Sequence, residues 1–123
     1  MSAWRLLRLE TSDAFTNMAV DEAVLRARIV GIVPNTLRFF RWKPSAVSVG
    51  RFQDLPNVVN IENCRRHRID IVRRISGGGA VYHDYDGEIT YSVVVGQEDL
   101  GSADVVSAYK LICNGLIEAI QLL

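Results

Sequence analysis

The alternation of apolar and polar positions divides the chain into a short series of elements. Residues 4–9 alternate with period two and predict a strand. Residues 12–17 are rich in capping side chains and read as a turn, and residues 18–30 then take up a helical rhythm. Val20, Ala23, Val24 and Ala27 fall on one helix face, and Met18, Leu25 and Ile29 on a second, so this helix is expected to be covered on both sides. Asp21 and Glu22 are placed in its first turn, where carboxylates suit the positive end of the helix dipole. Residues 31–35 break the helix. Two strands, 36–42 and 46–49, are expected to form a hairpin-like pair about the Lys43-Pro44-Ser45 turn.

Residues 58–68 predict a short helix capped by Asn57, with Ile61 and Cys64 inward and Arg65, Arg66 and Arg68 in solvent. Residues 69–73, 80–82 and 88–95 read as further strands. The strongest helical pattern is 103–123, where Val105, Tyr109, Ile112, Leu116, Ile120 and Leu123 recur at steps of three and four. Ser102 is its expected N-cap. The pattern is still apolar at Leu122 and Leu123, with no Gly or Asn to end it, so the helix looks cut. Strand, helix, several strands and a final helix give an α+β domain with a mixed, mostly antiparallel sheet and helices packed on it, truncated on its C-terminal side.

Composition narrows the function classes. With 123 residues, 49% hydrophobic and 23% charged, the chain has the balance of one folded domain. Basic and acidic residues number 14 each, which argues against a general nucleic-acid binder. No apolar run reaches membrane-spanning length and no signal-peptide core follows Met1, so a cytoplasmic protein is expected. Cys64 and Cys113 are too few for a disulfide framework and too far apart for a zinc motif. No metal site is read from the residues.

The chemistry sits in Arg73-Arg74-Ile75-Ser76-Gly77-Gly78-Gly79-Ala80-Val81-Tyr82-His83-Asp84. Consecutive glycines lose much conformational freedom on folding, and persist where backbone must take positive φ or let a ligand approach. Their N–H groups can line an anion nest. Arg73 and Arg74 before the run suit bidentate recognition of carboxylate or phosphate, and His83 and Asp84 follow it. The segment predicts a site for an anionic ligand. It is neither GxGxxG nor a P-loop.

The same segment resembles the signature loop of the lipoate–protein ligases, Arg-Arg-x-Ser/Thr-Gly-Gly-Gly-Ala-Val-x-His-Asp. Residues 17–22, Gly50-Arg51-Phe52-Gln53 and residues 88–92 are similar to other parts of that family. The resemblance implies the biotin/lipoate ligase fold. It further implies ATP- and Mg²⁺-dependent activation of lipoate or octanoate to an acyl-adenylate, then transfer to a lysine of a carrier. The carriers implied are the lipoyl domains of 2-oxoacid dehydrogenase E2 subunits and the glycine-cleavage H protein. Carried over by position, Arg74 and Gly79, Ala80, Val81 and Tyr82 contact the nucleotide, and Gly77 and Gly78 let the acyl-phosphate pass. Ser76, His83 and Asp84 complete the loop, without individual roles.

The sequence departs from that family in two places. The catalytic lysine of the ligases lies beyond the helix at which this chain stops, and neither Lys43 nor Lys110 takes its place. Asp86-Gly87-Glu88 stands where the family commonly has Gly-Asn. Three alternatives follow. An octanoyl or lipoyl transferase of the same fold uses no ATP, and some use a nucleophilic cysteine whose position matches neither Cys64 nor Cys113. A biotin–protein ligase fits the loop less well. The third is a non-catalytic acyl-adenylate-binding half completed by a second chain.

Overall fold

The computed structural model describes residues 2–101 and 104–123. Strand β1 (Trp4–Ser12) leads into helix α1 (Ala14–Ile29), followed by β2 (Asn35–Trp42) and β3 (Ala46–Val49). Two short helices, α2 (Leu55–Val58) and α3 (Ile61–Arg66), precede β4 (Asp70–Arg73), β5 (Val81–His83) and β6 (Thr90–Val94). Helix α4 (Val105–Gln121) ends the chain. No helix among the described residues is long and apolar enough to cross a membrane.

The strands form two three-stranded sheets, β1-β2-β6 and β4-β3-β5. Each has one parallel and one antiparallel pairing. The sheet content is therefore evenly mixed rather than mostly antiparallel. The expected β2–β3 hairpin does not form. The chain crosses from one sheet to the other at Lys43–Ser45, and the two strands take different neighbours. Period-two alternation shows that a strand exists and which side is apolar, but not which strand it pairs with.

Helix α1 starts four residues before the expected Met18. Asp13 is its cap, and the Asp13 carboxylate accepts the Thr16 N–H at 2.7 Å. Asp21 and Glu22 therefore lie in the helix interior, not its first turn. The inward face is Ala14, Asn17 and Val24, flanked by half-buried Met18 and Asp21; of the expected face Val24 is buried, Val20 and Ala27 are half-buried and Ala23 is exposed. Asn17 and Asp21 turn inward because of Arg38, in the middle of β2 and 4% exposed. A buried guanidinium needs acceptors. Its Nη1 donates to Asp21 Oδ1 (2.8 Å) and Asn17 O, and its Nη2 to Asn17 Oδ1 (2.7 Å). Asn17 in turn donates to the Ser12 and Arg41 carbonyls, tying the helix start to β1 and β2.

The core lies where α1 meets both sheets: Ala14, Phe40, Trp42, Ala46 and Val72, with Met18 packed against them. The predicted 58–68 helix resolves into α2 and α3. Pro56 sits in the first turn of α2, Val59 then goes extended, and Asn60 rather than Asn57 caps α3. Cys64 is buried as expected, while Arg65, Arg66 and Arg68 are exposed. Helix α4 is capped by Asp104, which accepts the Ser107 N–H. The expected cap, Ser102, lies outside the described residues.

Candidate acyl-binding site

Strand β4 ends at Arg73, and the chain loops through the three glycines before re-entering the sheet as β5. Two arginines act in opposite directions here. Arg73 Nη1 donates to the carbonyls of Gly50, Arg51 and Gln53, fastening the turn that follows β3. Arg74 folds back under its own loop. Its Nη2 donates to Gly77 O (2.9 Å) and Gly79 O (2.7 Å), and its Nη1 to Ser48 O and Ser48 Oγ (3.1 Å). The loop also docks edge-on against Gly50-Arg51, where the Arg51 N–H donates to Ser76 O at 2.9 Å. A Cβ at Gly50 would lie 2.1 Å from Gly78 O, so the close approach depends on Gly50. Gly78 holds φ +97, whereas a Cβ at Gly77 or Gly79 would meet nothing within 4 Å.

Beneath the loop is a cavity of about 340 Å³ at the junction of the two sheets. Phe40, Trp42, Met18 and Val81 form apolar parts of its wall. Ser48, Arg74, Ser76 and His83 supply polar groups to it. Its size falls in the range of small-ligand sites, and apolar walls with a few placed polar groups are their usual make-up. Alternation along β5 explains the split within the signature. His83 faces this cavity and Tyr82 a separate hollow with Val47, Ala80 and Cys64, while Val81 borders both. Asp84 turns away. It accepts from the Gly87 N–H (2.9 Å) and the Tyr82 hydroxyl and shapes the turn before β6.

His83 is 7% exposed and fully engaged. Its Nε2 lies 2.8 Å from Ser48 Oγ and its Nδ1 2.8 Å from Glu88 Oε1. Its ring stacks on Trp42, with centroids 4.0 Å apart and planes 14° from parallel. Trp42 Nε1 donates to Thr90 Oγ1, and Thr90 Oγ1 donates to the same Glu88 oxygen. Sequence reasoning singled out His83 but missed Ser48, Trp42 and Arg38. Two charged or hydroxylic residues within apolar strands, Arg38 and Ser48, were the available signal. Glu88 was read as the start of a strand and as part of a departure from the family pattern, and it proves to be the histidine's partner.

Neither lysine and neither cysteine reaches the cavity wall. Lys43 Nζ lies over the Tyr85 ring and Lys110 is exposed on α4. Cys64 is buried beside the Tyr82 hollow and Cys113 is exposed. Among the described residues, no group of three or more His, Cys, Asp or Glu could hold a metal ion. Magnesium in nucleotide sites is carried largely by phosphates and one or two carboxylates. Asp84, beside the loop, is committed to its own turn. A larger hollow, about 520 Å³, lies at Pro56–Ile61 and is lined by no titratable side chain.

Comparison with known proteins places this geometry. The family model for the lipoyl protein ligase A/B catalytic domain matches residues 13–123. The chain belongs to that family. Among its curated relatives are octanoyltransferases LipM. That of Clostridioides difficile (strain 630) is 37% identical over 99% of this chain and 45% of its own length. That of Brevibacillus brevis is 40% identical over 98% of this chain and 44% of its own length. The solved structures include a bi-partite lipoate protein ligase from Thermoplasma acidophilum, with TM-score 0.82 and 30% identity, covering 100% of this chain and 46% of that one. A lipoate-protein ligase A bound with ATP gives TM-score 0.74 and 33% identity, covering 86% of this chain and 41% of that one. This member of the family thus spans a little under half the length of the relatives it matches, and its α+β fold is theirs.

Proposed function

We propose that this chain is the acyl-binding part of an octanoyltransferase. The enzyme moves a medium-chain acyl group from a carrier thioester to a lysine of a lipoyl domain in the cytoplasm. The observation that carries this reading is the set of octanoyltransferase relatives, 36–45% identical across 77–99% of the chain. The cavity fits the role. An acyl tail lies against Phe40, Trp42, Met18 and Val81, and its carbonyl end turns toward Ser48, His83 and Arg74. Arg74 and the glycine loop supply positive potential where an oxyanion develops, in a pocket with largely apolar walls. Neither lysine and neither cysteine lines the cavity, so this reading assigns the nucleophile or catalytic lysine to the part of the relatives that this chain does not span.

The ligase reading remains the second one. It is favoured by the ATP-bound solved neighbour. There, ATP and Mg²⁺ would meet the outer side of the loop at Gly79, Ala80 and Tyr82. The bi-partite solved neighbour supports a variant in which a second chain completes the site. Lipoyl domains of 2-oxoacid dehydrogenases and the H protein are the acceptors in every case. Calorimetry separates the readings. Titration with a thioether analogue of an octanoyl thioester, without nucleotide, gives saturable binding if the chain is of transferase type. No binding of that analogue, with tight binding of a non-hydrolysable octanoyl-adenylate analogue, overturns the transferase reading in favour of the ligase.

A further inference from the structure

Ser48, His83 and Glu88 stand in the order hydroxyl, imidazole, carboxylate, with both links at 2.8 Å. The protons can be placed. A carboxylate only accepts, so in the neutral imidazole His83 Nδ1 carries the hydrogen and Nε2 the lone pair. Ser48 Oγ–H then donates to Nε2, leaving its own lone pairs for the Arg74 Nη1–H at 3.1 Å. Every donor in this relay then finds an acceptor. The same order of groups serves as a nucleophile and base in acyl transfer. Ser48, however, is 2% exposed, and a guanidinium covers its lone-pair side. A hydroxyl so held is not presented to a carbonyl carbon.

We propose that Ser48 and His83 are positioning residues: anchored on Glu88, they fix Arg74 and, through it, the Gly77–Gly79 loop over the cavity. The relay runs between the sheets. Glu88 and its donor Thr90 belong to the β6 end of the first sheet, and Ser48 and His83 to β3 and β5 of the second. Trp42 fixes the imidazole plane from the side, by stacking. Arg74 spends its Nη2 on two loop carbonyls and its Nη1 on Ser48, so moving the loop and losing the Ser48 contact are one event. That the loop closes an acyl pocket rests on the function proposed above. That the relay holds the loop does not.

The test uses the Arg51 amide, whose bond to Ser76 O reports loop docking. Its hydrogen exchange is measured by NMR in the 123-residue chain, together with ¹⁵N shifts of the His83 ring. Ser48→Ala and Glu88→Ala should each speed Arg51 exchange about tenfold, the loss of one net hydrogen bond. Protection within β2 should be unchanged, and Ser48→Thr, which keeps the hydroxyl, should restore the slow rate. His83 should carry its proton on Nδ1. Glu88 touches no loop residue directly, so an unchanged Arg51 rate in Glu88→Ala overturns the relay. So does a proton on Nε2, or a rise in exchange that is equal across the whole chain. Octanoyl-analogue binding is read on the same samples. A chain that binds no acyl group but shows the Arg51 pattern retains the relay and loses only the functional reading.

Discussion

A methyl group on Gly50 would sit 2.1 Å from Gly78 O, closer than any real contact. Backbone lies on both sides, so the strain cannot be relieved by rotating a side chain. Gly50→Ala should therefore cost about 1–3 kcal/mol, the usual range for overpacking. Gly77→Ala, with open space around its Cβ, should stay within about 0.5 kcal/mol. Urea unfolding of both variants checks this, and a larger loss at Gly77 would contradict the placement of the loop. Asp13 acts at the same scale. The Thr16 backbone N–H bonded to its carboxylate holds its pKa below the usual value. A group depressed in the folded state stabilises at pH above its unfolded value, and that contribution is lost as pH falls through the folded pKa. Thermal melts through the acid range should show Asp13→Ala losing less stability on acidification than the parent. Equal acid limbs would mean the cap contributes nothing.

At the scale of elements, α1 is attached to the first sheet by a charge network beside the apolar packing of Ala14 and Met18 against Phe40 and Trp42. Arg38 is the centre of it, with Asn17 and Asp21 below, Ser92 Oγ donating to Asp21, and the Phe40 ring 4.0 Å from the guanidinium carbon. Arg38→Ala leaves Asp21 without its cation and should destabilise by about 3–5 kcal/mol, the usual cost of breaking a buried pair. Chemical denaturation measures it. A loss below about 1 kcal/mol would show that α1 is held by its methylenes and not by the network. This is also where sequence reading was weakest. The existence and order of the strands and long helices were legible, because periods of two and 3.6 survive in local sequence. The polar part of the inward face of α1 was not, because Asn17 and Asp21 point inward to satisfy an arginine from another element. The β2–β3 pairing was misread because a tight turn between two apolar runs looks like a hairpin whether or not the sheets part. The glycine loop was legible as a break between two strands. Its partner Ser48 was missed, since a single serine within an apolar strand is only a weak signal and does not show which loop it meets.

Across the whole molecule, the two sheets meet at α1 and leave the candidate cavity at their seam. A second apolar space of about 310 Å³ lies on the opposite face of the first sheet, under α4, lined by residues such as Leu37, Phe39, Val93, Leu116 and Ala119. It is more uniformly apolar and would also accept an acyl tail, but it has neither an arginine nor a histidine in its wall. On the proposed function the acyl group belongs at the seam, where apolar wall and polar end occur together. The most direct measurement is NMR titration of the ¹⁵N,¹³C-labelled chain with the octanoyl thioether analogue, following shifts and intermolecular NOEs. The expected result is that the acyl chain contacts Trp42, Phe40 and Val81, with the largest amide shifts at residues 76–79. Contacts to Leu37, Phe39 and Leu116, with a silent glycine loop, would contradict it.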